Sequence, residues 1–118
     1  MWNIPTEEDL AKIPKLYSTK AIPAEEKIVH MHFFIDGCDW YIVEYDHDER
    51  LFYGFAILNS DDENAEWGYI SFDELISVRN RLGIEVDHDL HWTPKPAGDI
   101  DNIARCRFNG FKEVHNNV

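Results

Sequence analysis

The sequence predicts an α+β fold: a single domain built as an antiparallel meander of three to five strands, with a helix packed on one face and a short N-terminal helix. The first observation behind this prediction is length, because 118 residues suit one hydrophobic core and not two. The second is composition, since 44% hydrophobic and 14% aromatic residues exceed what a disordered acidic chain carries. The third is a periodicity that changes between two and the helical repeat along the chain.

The first predicted element is a short helix that begins at Thr6. A threonine hydroxyl caps helix N-termini, and the acidic side chains at positions 7–9 favour the positive end of the helix dipole. Pro14 ends this helix, because the residue before a proline disfavours helical backbone. An irregular connection over residues 16–23 follows.

Four segments are predicted to be strands: 27–35, 39–45, 51–58 and 67–70. In the first segment, the alternation predicts one face that carries Val29, Met31, Phe33 and Ile35. Alternation in the second places on one face Trp40, Ile42 and Glu44, and on the other Tyr41, Val43 and Tyr45. The third segment is apolar on both faces, as is typical of a central strand. Asp36-Gly37 forms a turn, residues 46–50 a hairpin loop, and residues 59–66 an acidic loop.

A second helix is predicted over residues 72–81, after the fourth strand. Ser71 and Glu74 have the spacing of a capping box, and Gly83 ends the helix. Its apolar stripe consists of Leu75, Ile76, Val78 and Leu82. Residues 84–92 form a short extended edge segment, and two prolines at positions 94 and 96 close the core. The compact domain therefore spans residues 1–96, and residues 97–118 form a lightly structured tail with a helical turn near 101–107.

The charge of the chain is concentrated in its middle third. The net charge is −12, and twelve acidic residues against one arginine lie between Asp36 and Glu74. Such a field repels nucleic acid and anionic membranes and attracts basic surfaces. No apolar run reaches the length of about 18–20 residues that a membrane span needs, and the N-terminus lacks the pattern of a secretory signal. We expect a cytoplasmic protein that binds neither membranes nor nucleic acid directly.

Known catalytic motifs are missing from the sequence. Cys38 and Cys106 are far apart and have no CxxC partner, so both are interpreted as free thiols without a catalytic role. There is no GxSxG nucleophile motif and no glycine-rich phosphate loop. The aromatic residues of the strands are interpreted as core residues. The alternative is a stacking platform for nucleic acid, but such a platform comes with a basic groove, whereas this part of the chain is acidic.

Several short stretches carry a family resemblance by their order and spacing. They are Ile13-Pro14-Lys15-Leu16-Tyr17, Phe33-Phe34, Trp40-Tyr41, Glu44, Phe52-Tyr53-Gly54, Gly68-Tyr69-Ile70-Ser71, Glu74-Leu75, Leu82-Gly83-Ile84-Glu85, Asp89-Leu90, Pro94 and Pro96. Over residues 10–96 the chain resembles a family of small uncharacterised bacterial proteins, a domain of unknown function found largely on plasmids, integrative elements and phages. His88 departs from the family pattern, which has an arginine there. The resemblance implies a mobile-element setting and supplies no catalytic residues.

The acidic loops are the predicted partner-binding site. Their members are Asp46, Asp48 and Glu49 in the hairpin loop, and Asp61, Asp62, Glu63 and Glu66 in the next loop. We expect the meander to bring both loops to one end of the sheet, where carboxylates imitate a row of phosphates for lysine and arginine side chains. The leading hypothesis is a non-enzymatic protein that docks these loops onto a basic protein partner, in its boldest form an inhibitor or modulator of a nucleic-acid-binding defence protein. Solvated loops that serve only solubility are the alternative.

A small metal- or carboxylate-dependent enzyme is the rival hypothesis. Glu44 lies in a half-buried strand, where burial raises a carboxylate pKa, and His30 or His32 on the neighbouring strand would complete an acid–base pair. A strand glutamate at a sheet edge, or one bound to a lysine or arginine, is the other interpretation. Potential metal ligands are His30, His32, Asp87, His88, Asp89 and His91. Since their spacing is not that of HExxH or CxxC pairs, no metal site and no cofactor is predicted.

Overall fold

The structure is a computed structural model, which describes residues 1–106. Its helices are α1 (Glu7–Ala11), α2 (Phe72–Ser77) and α3 (Asp101–Ala104), with 3₁₀ turns at Ala24–Glu26 and Ala97–Asp99. Its strands are β1 (Ile28–Val29), β2 (Met31–Ile35), β3 (Cys38–Asp46), β4 (Leu51–Ile57), β5 (Glu66–Ser71), β6 (Asp87–His88) and β7 (Lys95–Pro96). None of the described helices is long and apolar enough to cross a membrane.

The main sheet confirms the predicted antiparallel meander. Its five strands lie in the order β5-β4-β3-β2-β6, and each neighbouring pair is antiparallel. Strand β6 falls within the predicted edge segment at 84–92 and borders β2. The predicted first strand is divided at His30, because β1 leaves the main sheet and pairs with β7. The α+β prediction is therefore confirmed, with a small second sheet in addition.

A β-bulge in β3 changes which residues share a face. Ile42 lies opposite Gly54 and Glu44 lies opposite Tyr53, so Val43 is an extra residue in the ladder. Directly opposite residues share a face of the sheet. The bulge therefore places Glu44 on the face of Tyr53, and the prediction that Glu44 shares a face with Ile42 is wrong.

Both faces of the sheet are covered. Helix α2 covers one face, where Phe72 and Leu75 pack with Phe33 and Phe52. On the other face, Ile100 and Ile103 pack with residues that include Val29, Tyr41 and Phe55. Burial on two sides explains why β4 is apolar on both faces. It also shows that the segment 97–106, predicted as part of the tail, contributes buried side chains to the core.

Both predicted helix starts have capping geometry. Thr6 Oγ1 accepts from the backbone N–H of Asp9 (3.1 Å), and a carboxylate oxygen of Asp9 accepts from the N–H of Thr6 (3.1 Å). Those hydrogen bonds to Thr6 hold the pKa of Asp9 below its usual value. Ser71 caps α2 by accepting from the N–H of Glu74 (3.2 Å).

Helix α2 is shorter than predicted, because Asn80 forms a turn in place of another helical turn. The helix ends at Ser77, and Val78 is already extended (φ −64°, ψ 130°). The side-chain oxygen of Asn80 accepts from the N–H groups of Leu82 and Ile84, each at 2.9 Å. Such local bonding offers the backbone an alternative to the helix. Leu82, predicted to lie in the apolar stripe, is 84% exposed.

The end of the predicted tail lies outside the described residues. Helix α3 (Asp101–Ala104) falls within the helical turn predicted near 101–107. Asn102 ties it to the sheet, since its side-chain N–H donates to the hydroxyl of Tyr41 (2.9 Å). Residues 107–118 are not described.

Candidate functional site

The two acidic loops lie at opposite ends of the sheet. One loop connects β3 to β4 and the other connects β4 to β5, so the whole length of β4 separates them. Seven strand residues from Leu51 to Ile57 put roughly 20 Å between the two ends, at about 3.4 Å per residue. The expectation that the meander brings both loops together is wrong, because consecutive hairpins of a meander alternate between ends.

The β3–β4 loop meets acidic residues from two other segments, and we call this surface the hairpin end: Glu7, Asp46, Asp48, Glu49 and Asp73. His47 Nδ1 lies 3.6 Å from a carboxylate oxygen of Glu7. Arg50 Nε donates to Asp73 Oδ1 (2.8 Å), and its guanidinium stacks on the ring of Phe72 (4.7 Å). The α1 and α2 N-termini thus add carboxylates that the sequence analysis did not assign to this surface.

Asp48 and Glu49 differ from the other acids of the hairpin end. Both side chains are exposed, and within residues 1–106 neither makes a hydrogen bond or ion pair. Asp46 accepts from the backbone N–H of Asp48 (3.1 Å), which holds the tip of the loop. Among the described residues, the hairpin end therefore presents two carboxylates without a partner on a turn that Asp46 holds.

Two acids of the β4–β5 loop are engaged inside the molecule. Asp61 accepts from both the backbone and the side-chain N–H of Asn64, at 3.2 and 2.6 Å, which lowers the pKa of Asp61. Arg105 donates to both oxygens of Asp62, at 2.8 and 3.4 Å. Glu63 and Glu66 are exposed. Part of this predicted site thus stabilises the loop and its contact with the segment after α3.

Glu44 is buried and serves the fold. Only 3% of it is exposed. One carboxylate oxygen accepts from the N–H of Tyr17 (2.8 Å), and the other accepts from the N–H (3.0 Å) and hydroxyl of Thr19. Lys27, only 1% exposed, donates to the carbonyl oxygen of Thr19 (2.5 Å). Thr19 therefore joins a buried carboxylate to a buried ammonium, and all three hold the loop over residues 15–20.

His32 lies between two carboxylates on the other half of the sheet. Its Nε2 is 2.7 Å from Asp39 and its Nδ1 is 3.1 Å from Asp89. The ring stacks on Tyr41, with centroids 4.6 Å apart, and burial raises the pKa of Tyr41 to about 12. With each ring nitrogen facing a carboxylate, His32 ties β2, β3 and the segment after β6 together.

The predicted pairing of Glu44 with a histidine does not form. Neither His30 nor His32 makes a hydrogen bond or ion pair with Glu44, and burial alone lowers the pKa of His30. His88 Nδ1 lies 3.0 Å from the carbonyl oxygen of Asn3, and His91 is exposed. In the part of the chain that the structure describes, no three His, Cys, Asp or Glu side chains are placed to hold a metal ion.

The cysteines are free and separate from the histidines. Cys38 is partly exposed and Cys106 is buried, and neither forms a disulfide. The pKa of Cys106 is raised, chiefly by burial. Cys38 packs on the face of Trp40, whereas His32 stacks on Tyr41 on the opposite face. No cysteine–histidine pair therefore forms among the described residues.

A cavity that the sequence analysis missed lies above Glu44. This tyrosine cavity has a volume of about 290 Å³ and is lined by Tyr17, Lys20, Lys27, Glu44, Tyr53 and Tyr69. Its residues come from a loop, from the start of the first predicted strand and from three neighbouring strands. Tyr17 has a left-handed backbone (φ 71°), which is uncommon for a bulky residue. In the sequence, only Glu44 pointed to this region, because its neighbours along the chain indicated that it is buried.

Comparison with known proteins places the chain in a family. No curated protein and no solved structure matches it significantly. A family model described as "Protein of unknown function (DUF2958)" matches residues 10–102. Four residues of the tyrosine cavity, at positions 17, 44, 53 and 69, also belong to the stretches that carry the family resemblance. The chain therefore belongs to the DUF2958 family, whose function is unknown.

Proposed function

We propose that this protein is a non-enzymatic binding protein that docks its acidic hairpin end onto a basic surface of a protein partner. The observation that carries the proposal is the pair of exposed carboxylates of Asp48 and Glu49, which lie beside those of Glu7 and Asp73 and have no partner in the described part of the chain. Exposed charges of one sign steer a complementary partner and raise the rate of encounter. The opposite end suits this role less, because Asp61 and Asp62 are engaged internally.

The most specific form of the proposal is a modulator of a nucleic-acid-binding protein, encoded on a mobile element and acting in the cytoplasm. Carboxylates and phosphates compete for the same lysine and arginine side chains. Two reduced cysteines suit a reducing compartment. A partner of this kind would release DNA or RNA when the hairpin end binds.

The geometry favours this function over the rival enzyme. Both oxygens of Glu44 accept hydrogen bonds from the loop at Tyr17 and Thr19, so the proposed base is engaged in holding the fold. Both nitrogens of His32 face carboxylates. The carboxylate and imidazole that the enzyme hypothesis assigned to catalysis are therefore engaged in contacts within the protein.

The test is a binding measurement with a partner captured by affinity from the native host. We expect the double variant Asp48→Asn/Glu49→Gln to associate more slowly than the native protein at low salt, because charges at the edge of an interface act mainly on encounter. The difference should shrink as salt rises, since the screening length falls to about 8–10 Å near physiological ionic strength. Excess duplex DNA or RNA should compete with the native protein for the partner.

A matched control removes the same charge from the opposite end. The variant Glu63→Gln/Glu66→Gln also loses two negative charges, so it changes the net charge of the protein by the same amount. If the hairpin end docks, this control associates almost as fast as the native protein. Equal slowing of both variants would show that only net charge matters, and unchanged rates in both would remove the docking hypothesis.

A further inference from the structure

We propose that the tyrosine cavity binds a small anionic ligand that has a flat ring and a carboxylate or phosphate group. This site shares no residue with the hairpin end, and the inference does not depend on the proposed function. Its volume of about 290 Å³ is close to the lower limit of small-molecule pockets, which begin at roughly 300 Å³. Its wall supplies aromatic surface, and two of its lining residues are lysines.

The aromatic wall is a connected set of rings. Tyr17 contacts Tyr69 edge-on, with centroids 6.4 Å apart, and Tyr69 contacts Tyr53 in the same way at 5.5 Å. Tyr53 in turn stacks on Trp67 at 6.0 Å. Tyr17 and Tyr69 are 63% and 57% exposed, so their rings remain accessible from the solvent. Flat rings stack favourably on tyrosine.

The hydroxyls of the wall are hydrogen-bonding groups. The hydrogen bond with Tyr17 raises the pKa of Tyr69, which favours the protonated phenol. Phenol hydroxyls both donate and accept. A ligand carboxylate or phosphate in the cavity would therefore find donors besides the lysines.

The charge of the cavity is opposite to that of the protein. Two lysines, Lys20 and Lys27, and one acidic residue, Glu44, line the cavity. The oxygens of Glu44 accept three hydrogen bonds from Tyr17 and Thr19, which direct its charge toward the loop. The net charge of −12 would favour a cation elsewhere on the molecule. Here the two ammonium groups favour an anion.

Lys27 has a donor that no acceptor within residues 1–106 uses. An ammonium carries three N–H donors. Lys27 Nζ donates to the carbonyl oxygen of Thr19 (2.5 Å) and to its hydroxyl (3.3 Å), and within residues 1–106 it has no third acceptor. Its side chain is 1% exposed and lines the cavity. A buried donor without a partner is costly, and a ligand oxygen would satisfy it.

Strain in the loop is consistent with a built site. The left-handed backbone of Tyr17 (φ 71°) is held by the hydrogen bond from its N–H to Glu44 (2.8 Å). Such backbone conformations persist only where the surroundings enforce them, and they cluster at ligand sites. The buried network of Glu44, Thr19 and Lys27 thus positions the Tyr17 ring over the cavity.

The test compares three probes of the same shape and different charge: benzoate, benzamide and benzamidine. Each is titrated to about 10 mM, because fragments of this size bind in about the millimolar range. Binding is followed by NMR shifts of the backbone amides of Tyr17, Thr19, Tyr53 and Tyr69. We expect saturation with benzoate, weaker binding of benzamide and none of benzamidine. Because the overall charge favours benzamidine, a preference for benzoate has to arise from the cavity. Inorganic phosphate is titrated separately to measure what the anionic group contributes without a ring.

Two variants locate the site. Lys20→Gln should weaken benzoate binding by about two- to fivefold, as expected for an exposed ion pair, whereas Lys12→Gln should leave it unchanged. Tyr17→Gly removes a ring at a position that suits glycine, so the fold is retained and benzoate affinity falls by about tenfold. Preferential binding of benzamidine, equal effects of Lys20→Gln and Lys12→Gln, or no saturation with any probe would overturn the proposal.

Discussion

At the scale of the residue, one buried carboxylate determines the conformation of a surface loop. Glu44 is fixed in β3, and the loop over residues 15–20 folds onto it through the N–H groups of Tyr17 and Thr19. Hydrogen bonds to a charged group stabilise a fold by about 1.5–3 kcal/mol, whereas a strained residue such as Tyr17 costs about 1–3 kcal/mol. The two effects are comparable, so the loop depends on the charge of Glu44. Lys27 donates to the carbonyl oxygen of Thr19, which brings a positive charge close to the carboxylate of Glu44.

Replacing this carboxylate tests the dependence directly. Glu44→Gln keeps the shape but turns an acceptor oxygen into an N–H group that faces the donors of Thr19. We expect the free energy of unfolding, measured by urea denaturation, to fall by about 1–3 kcal/mol. Glu49→Gln, on the exposed hairpin loop, is the control and should change it by less than about 0.5 kcal/mol. If both variants are equally stable, the contacts of Glu44 do not hold the loop.

At the scale of the element, the sequence predicted the strands and most of their faces. It was wrong for Glu44 and Tyr45, which follow the bulge, and for Val29, which packs on the face opposite Met31. Period-two alternation located segment 39–45, and a run that is apolar on both faces located segment 51–58. The structure has strands at Cys38–Asp46 and Leu51–Ile57. The extra residue at Val43 then reversed the expected orientation of Glu44 and Tyr45. A bulge of this kind is fixed by the neighbouring strand, so alternation within one strand does not reveal it.

Gly54 on β4 shows how closely the neighbouring strand β3 approaches at the bulge. A Cβ atom at Gly54 would lie 2.0 Å from the carbonyl oxygen of Tyr41, just before the bulge, whereas a Cβ at Gly68 on β5 would meet no atom within 4 Å. Gly54→Ala therefore forces the β3 backbone away from β4, and we expect a loss above about 3 kcal/mol in the free energy of unfolding.

Gly68→Ala is the matched control for this prediction. Alanine there fills open space in a strand, and we expect a change between zero and a gain of about 1 kcal/mol. Urea denaturation of both variants measures the difference. Similar stabilities of the two would contradict the close approach of β3 and β4 at the bulge.

At the scale of the whole molecule, the sequence gives the amount of charge and the topology gives its position. Counting residues located the acidic surplus between positions 36 and 74, but the alternation of hairpins divides it between two ends of β4. Contacts distant in sequence add Glu7 and Asp73 to one end and Arg105 to the other. The tyrosine cavity likewise combines residues from position 17 to position 69, which no local pattern connects.

This distribution predicts that sodium chloride stabilises the fold. Like charges repel within each acidic end. At low salt they also repel between the two ends, roughly 20 Å apart, because the screening length is about 30 Å at 0.01 M. The ion pairs that salt weakens are exposed, such as Arg50–Asp73 and Arg105–Asp62, and contribute little. We therefore expect the melting temperature to rise between about 0.01 M and about 0.3 M salt. The variant Asp48→Asn/Glu49→Gln should raise the melting temperature at low salt. It should also reduce the rise in melting temperature that added salt causes. A melting temperature that falls with salt would mean that the ion pairs outweigh the repulsion.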